Sequence, residues 1–134
     1  MSGEIDLGKL LATMSPVLID GEYIFYSFEN AGYGDHANLN PIAAFKESEG
    51  LTLVIPKSKA DEYGLSYESV FKGITLQVYS SLDAVGLTAA FSKKLSEHRI
   101  SANVISGYFH DHIFVQSNHA EKAIAALGEF TRKW

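Results

Sequence analysis

Three stretches of the chain combine residue types that can do chemistry. The run SSLDAVGLT, residues 80–88, sets hydroxyls, a carboxylate and a glycine where an apolar strand gives way to an amphipathic helix. Backbone N–H groups at a helix start lack partners in their own helix and attract an anionic group such as a carboxylate. Gly86 removes a side chain, so a ligand or a neighbouring backbone can approach, and Ser80, Ser81 and Thr88 add hydroxyls. An ordinary capped helix, with Ser81 or Asp83 holding its own backbone, is the simpler reading of these residues alone. The second stretch is His110-Asp111-His112. Positions two apart in a strand share a face, so the two histidines can supply two metal ligands, with Asp35 or His36 completing a site. Nothing in the spacing ties the loop that carries Asp35 and His36 to this hairpin, and polar residues cluster at hairpin turns in any case. Asp111 by itself can pair with an ammonium or guanidinium group. The third stretch is NAGYGDHANLN, residues 30–40, which carries Tyr33, Asp35 and His36 without periodicity. It reads as a mobile surface connection, although a loop of this length in a small domain is often functional.

Other chemistries find little support. No serine sits in a glycine-flanked elbow with a recognisable His and Asp. Gly32-Tyr33-Gly34 lacks the strand before and the helix after that a phosphate-binding loop needs. The carboxylates Asp61, Glu62, Asp83 and Glu97 fall on expected helix surfaces, where solvation accounts for them.

The elements that must position these residues are legible as periodicities. Leu7, Leu10, Leu11 and Met14 have helical spacing, with Asp6 as N-cap and Ser15-Pro16 as the stop. Asp20-Gly21 between residues 17–19 and 22–28 predicts a hairpin, because glycine tolerates the positive φ of the turn. Residues 42–47 and 51–55 read as two strands. Ser58 and Asp61 resemble a capping box for a short helix ended by Gly64. Residues 71–79 alternate as a half-buried strand. Ala84, Leu87, Phe91 and Leu95 form the stripe of a helix. Residues 103–105 and 113–115 read as strands around a short turn. A last helix carries Ala120, Ala123, Ile124 and Leu127, capped by Asn118, with Phe130 and Trp134 clamping its end. The order, αββ(loop)ββα then βαββα, implies an α+β fold with helices on one face of a mainly antiparallel sheet.

Bulk composition narrows the function. At 134 residues the chain is one compact domain or two very small halves sharing a core. With 46% hydrophobic and 20% charged residues it is an ordinary globular composition. A net charge of −5 with scattered Lys and Arg argues against a nucleic-acid partner. The absence of cysteine excludes disulfides, a thiol nucleophile and thiolate metal sites. The N-terminal residues do not read as a signal peptide, and no apolar run approaches the ~20 residues of a membrane span. A cytoplasmic protein is expected.

The run Asp83-Ala84-Val85-Gly86-Leu87-Thr88, followed by Leu95 and Ile100, resembles the strand-to-helix signature of ACT domains. That signature is an acidic residue, a glycine three on, an apolar helix and an isoleucine opening the next strand; Val85 stands where a proline is common. The wider pattern, residues 41–130, is similar to small bacterial ACT-like proteins of uncharacterised function and to the paired ACT modules of aspartokinases and cytosolic arginine sensors. The resemblance implies a ferredoxin-like (βαββαβ) ACT-type sandwich, with two ACT-like units in tandem, residues 1–70 and 71–134, forming one body. The N-terminal helix and hairpin would belong to the first unit. It further implies a non-catalytic regulatory module without a cofactor, working as a homodimer. A small-molecule ligand, an amino acid, would be lined by Ser80, Ser81, Leu82, Asp83, Val85, Gly86, Leu87, Thr88 and Asp111. The helix start would take its carboxylate and Asp111 its cationic end. Two other readings stand beside this one: a protein that only oligomerises, and a metal-dependent enzyme using His110 and His112.

Overall fold

The computed structural model of the chain describes residues 6–78 and 85–131. Their elements in chain order are α1 (Leu7–Thr13), β1 (Ser15–Leu18), β2 (Tyr23–Phe28), β3 (Ala43–Lys46), β4 (Leu51–Pro56), α2 (Lys57–Glu62), β5 (Phe71–Gln77), α3 (Leu87–Glu97), β6 (Asn103–Ser106), β7 (Asp111–Gln116) and α4 (Ala120–Gly128). The order matches the one read from periodicity. Tyr79, Ala84 and Trp134, expected to end a strand, join a helix stripe and clamp the last helix, lie outside the described residues.

The chain divides into two compact units, Met1–Asp20 with Lys72–Trp134, and Gly21–Phe71. In the first, β1 pairs antiparallel with β5 over Ser15↔Gln77 to Leu18↔Ile74. β7 neighbours β5, and β6 lies outside β7, antiparallel to it, so the order is β1-β5-β7-β6. Followed from β5, the path runs β5-α3-β6-β7-α4 and is completed by β1. This is the ferredoxin-like βαββαβ arrangement, with its last strand drawn from the start of the chain. By packing, the N-terminal helix and strand group with residues 72–134: Leu10 of α1 and its C-cap Met14 are buried among Ile74, Leu76, Phe91, Leu95, Ile113 and Leu127.

Local signals were satisfied unevenly in this unit. Asp6 caps α1 as expected, its carboxylate accepting from the Lys9 amide at 3.0 Å. Asp20-Gly21 makes a turn, with Gly21 at φ +89°, but no hairpin, because β1 pairs with β5 and β2 with β4. α4 is entered through the 3-10 turn Ser117–His119, and no side chain caps it, so Asn118 is not its N-cap. Ile100 closes α3 rather than opening β6. Its amide donates to Leu95 O at 2.9 Å and the Arg99 amide to Ser96 O at 2.9 Å, with Arg99 at φ +60°. That pair of bonds is a Schellman closure, and the apolar contact it favours is Ile100 with Leu95.

In the second unit the order is β3-β4-β2, antiparallel throughout. Ile24, Leu51, Leu53 and Ile55 line one face and are buried there with Ala60 of α2 and Leu39 from the 30–40 loop. α2 begins at Lys57 with Pro56 as its N-cap and no side-chain cap, so Ser58 does not act as one. Asp61 instead accepts hydrogen bonds from Lys57 Nζ at 2.9 Å and from Tyr67 Oη at 2.6 Å. These partners hold the Asp61 carboxyl below the usual range, Tyr67 foremost. Between β2 and β3, where a βαββαβ unit carries its first helix, the chain makes only the 3-10 turn Ala37–Leu39.

Candidate functional site

The expected site is a corner of the first unit, where β5 ends and α3 begins. Ser80, Ser81, Leu82 and Asp83 lie outside the described residues. Of the remainder, Gly86 is the N-cap of α3 in the left-handed region, φ +95°. Among the described residues no side chain caps that helix start. The N–H groups of its first turn, by helix geometry, have no intrahelical acceptor. A side chain at Gly86 would place its Cβ 3.2 Å from Leu7 Cδ2, so packing against α1 is a second reason for glycine here. Val85 is 86% exposed and Thr88 is exposed, whereas Leu87 is buried in the core and presents no side chain to a ligand.

Asp111, half-buried, is the first residue of β7, opposite Ser106 of β6. Its neighbour His112 lies 3.0 Å, Nδ1 to Thr75 Oγ1, from the last third of β5 in a hydrogen bond. The start of β7 therefore flanks the end of β5 that leads to the corner. Side chains alternate along a strand, so Asp111 shares the face of Ile113 and Val115, which α3 and α4 cover, while His112 faces the opposite side. That geometry puts one carboxylate at the same end and on the same face as the α3 start.

His112 is engaged within its own sheet. Burial first, then the neighbouring His110 charge, lower the His112 pKa against the opposing pull of Asp111. Its Nδ1 is engaged with Thr75, and no three metal-ligating side chains cluster among the described residues.

Sequence reasoning missed a recess in the second unit. Tyr33, Gly34, His36, Ala37, Asn40 and Pro41 enclose it above Ala44, Leu51 and Leu53, with a volume of about 150 Å³. The loop that forms it is held by hydrogen bonds of its own. Asp35 accepts from the Gly32 amide at 2.7 Å, Leu39 N donates to His36 O at 3.0 Å, and Asn40 sits at φ +52°. The His36 ring stacks on Phe28 at 3.7 Å between centroids, and Tyr33 Oη accepts from the Lys46 amide at 3.2 Å. The buried Leu39, three residues after His36, was the signal that the loop folds back onto the sheet.

A βαββαβ sheet with its strands in the order β1-β5-β7-β6 and a glycine at the first helix start is the ferredoxin-like architecture of ACT domains, which are typically small-molecule regulatory modules. The chain belongs to the ACT-domain family: ACT-domain patterns match residues 2–72 and again 68–129. It is similar to a crystal structure of a protein of unknown function from Vibrio cholerae, described as a possible transport protein. The identity is 53%, with 94% of this chain and 96% of that one covered and a TM-score of 0.86. Two more distant likenesses show the fold. One is the aspartate kinase of Clostridium acetobutylicum, 13% identical over 96% of this chain and 36% of that one, TM-score 0.66. The other is the regulatory subunit of aspartate kinase from Thermus thermophilus, 10% identical over 90% and 99%, TM-score 0.61. No curated protein matches the chain. No helix among the described residues is long and apolar enough to cross a membrane.

Proposed function

We propose that the chain is a non-catalytic regulatory module that binds a free amino acid at the corner between β5 and α3, in the cytoplasm and as a homodimer. The supporting observation is the α3 start at Gly86, which no side chain among the described residues caps, with Asp111 at the same sheet end and on the same face. The α3 amides, with Thr88 and the hydroxyls of Ser80 and Ser81, receive the carboxylate; Asp111 receives the cationic end. Val85 and Gly86 shape the rim, and Leu87 anchors the helix from below. No bond is made or broken in this role. Binding is read out through the geometry of the dimer.

A thermal-shift panel of the common amino acids tests the reading. A ligand at a hundred times its dissociation constant adds about 2.7 kcal/mol, roughly 10 °C for a chain of this length. A basic amino acid is expected to give the largest shift, and Asp111→Asn to remove it. If no amino acid raises the melting temperature, or if Asp111→Asn leaves the response intact, the proposal fails. Assembly without a ligand is the second reading, favoured by β6, the outer strand of its unit, and by Tyr108 and Phe109, 73% and 66% exposed beside it. It predicts a dimer by light scattering that no amino acid alters.

A further inference from the structure

We propose that the recess under the 33–41 loop is a second binding site, separate from the α3 corner, and that it takes a short branched carboxylate lacking an amino group. Its floor is apolar, formed by Leu51 and Leu53, both nearly inaccessible to solvent, with Ala44 beside them on β3. Ala44 pairs with Leu53 across β3 and β4, so both present the same face. A partly open recess of about 150 Å³ is the size of a cavity that accommodates benzene, and it is smaller than the roughly 300–1,000 Å³ of sites for drug-sized molecules. Its occupant is therefore a compact apolar body.

The polar groups at the mouth fix the chemistry of the other end. Tyr33 Oη already accepts the Lys46 amide hydrogen, which leaves the phenol's own proton to donate elsewhere. The His36 ring is clamped face to face on Phe28, so its edge nitrogens are held in place. Asn40 is a further lining residue able to donate through its side chain. These are groups that donate to an anion. No carboxylate is among the lining residues, and the nearby Asp35 is turned to the Gly32 amide. The lining holds no Lys or Arg either, so a carboxylate is met by hydrogen-bond donors alone, whereas an α-ammonium group finds no side-chain carboxylate to donate to. The same recess thus favours a branched acid over the amino acid of the same skeleton.

The test uses the full chain labelled with ¹⁵N and isovalerate as the probe, titrated to roughly 20 mM, since so small a ligand supports binding near the millimolar range. The expected result is saturable movement of the Gly34, Ala37, Asn40 and Ala44 amide resonances, with L-leucine at least tenfold weaker. His36→Phe keeps the stack on Phe28 but removes the ring nitrogens, and is expected to weaken isovalerate about tenfold or more. Ala44→Leu fills the recess and is expected to abolish the shifts while the β4 resonances stay in place. Should that variant not fold, Ala37→Leu, an exposed position in the 3-10 turn, fills the recess from the other side. Absence of saturable shifts, shifts that persist in the filled variant, or equal binding of L-leucine would each overturn the assignment. None of these outcomes depends on whether an amino acid binds at the α3 corner.

Discussion

Substituting Gly86 by alanine separates the two jobs assigned to this glycine. At φ +95° an alanine backbone is strained by about 1–3 kcal/mol. Its Cβ would also meet Leu7 Cδ2 at 3.2 Å, a contact that yields if the leucine tip shifts by a few tenths of an ångström. The backbone cost cannot relax in that way, because φ at the N-cap sets the direction in which α3 leaves the corner. For 134 residues the unfolding entropy is about 0.3 kcal/mol/K, so Gly86→Ala is expected to lower Tm by about 4–11 °C. Gly86→Asn is the control. Asparagine tolerates the left-handed region, as Asn30 and Asn40 do in this chain at φ +55° and +52°, and it is also a good N-cap. It carries the same Cβ. If the backbone dominates, asparagine recovers most of the loss; if the Leu7 contact dominates, only Leu7→Ala in the alanine background does so. Differential scanning calorimetry on the four proteins decides the matter. A Gly86→Ala protein as stable as the parent would refute the argument that conformation selects glycine here.

Three further outcomes are expected. Phe91, fully buried in the first unit's core and edge-on to Phe130, should cost about 3–5 kcal/mol when replaced by alanine, measured by urea unfolding. Leu39→Ala removes the plug of the 30–40 loop and should cost about 2–5 kcal/mol, with faster amide exchange confined to the second unit; unchanged exchange would mean that the loop is held by its turns alone. Glu129 accepts from Lys94 Nζ at 3.1 Å and pairs with His98 Nε2 at 3.0 Å. Its pKa is lowered, the Lys94 hydrogen bond foremost. A depressed carboxyl contributes stability that is complete above the ordinary glutamate pKa and is lost as pH falls through the folded value. Glu129→Gln should therefore flatten the acid side of a Tm–pH profile and leave its alkaline side unchanged; an unaltered acid limb would exclude the linkage.

What could be read from the sequence was what depends on near neighbours. The stripe Leu87, Phe91 and Leu95 is buried as spaced, Asp6 caps its helix, and the strands flanking Ser48-Glu49-Gly50 pair as expected. What escaped depends on partners distant in the chain. Asp20-Gly21 has the chemistry of a hairpin turn, but a turn signal fixes φ and not which strands pair. Ser58 lost its capping role because Pro56 supplied a helix start two residues earlier and Asp61 found Lys57 and Tyr67. The 30–40 loop lacked periodicity because a single 3-10 turn replaces a helix there, so its one core residue, Leu39, had no companions to form a pattern.

The pairing of β1 with β5 leads to a consequence for how the two family matches divide. The matches run consecutively, 2–72 and 68–129, yet the sheet of the later one is completed by the first residues of the earlier one. Residues 71–134 alone hold only βαββα. They would expose one side of β5 and leave the places of Leu10 and Met14 empty. Those two side chains, 1% and 2% exposed, account for about 3–6 kcal/mol of burial, a large share of the 5–15 kcal/mol typical of a whole domain. A 71–134 fragment is therefore expected to be unfolded by circular dichroism. The Ile19 amide donates to Gly73 O at 2.8 Å, so the end of β1 and the start of β5 already lie side by side. Replacing residues 20–72 with Asn-Gly would close them as a two-residue hairpin and delete the second unit. This shortened chain should fold cooperatively with its helices intact. A folded 71–134 fragment, or an unfolded hairpin-closed chain, would show that the boundary lies where the two matches meet and not where β1 and β5 pair.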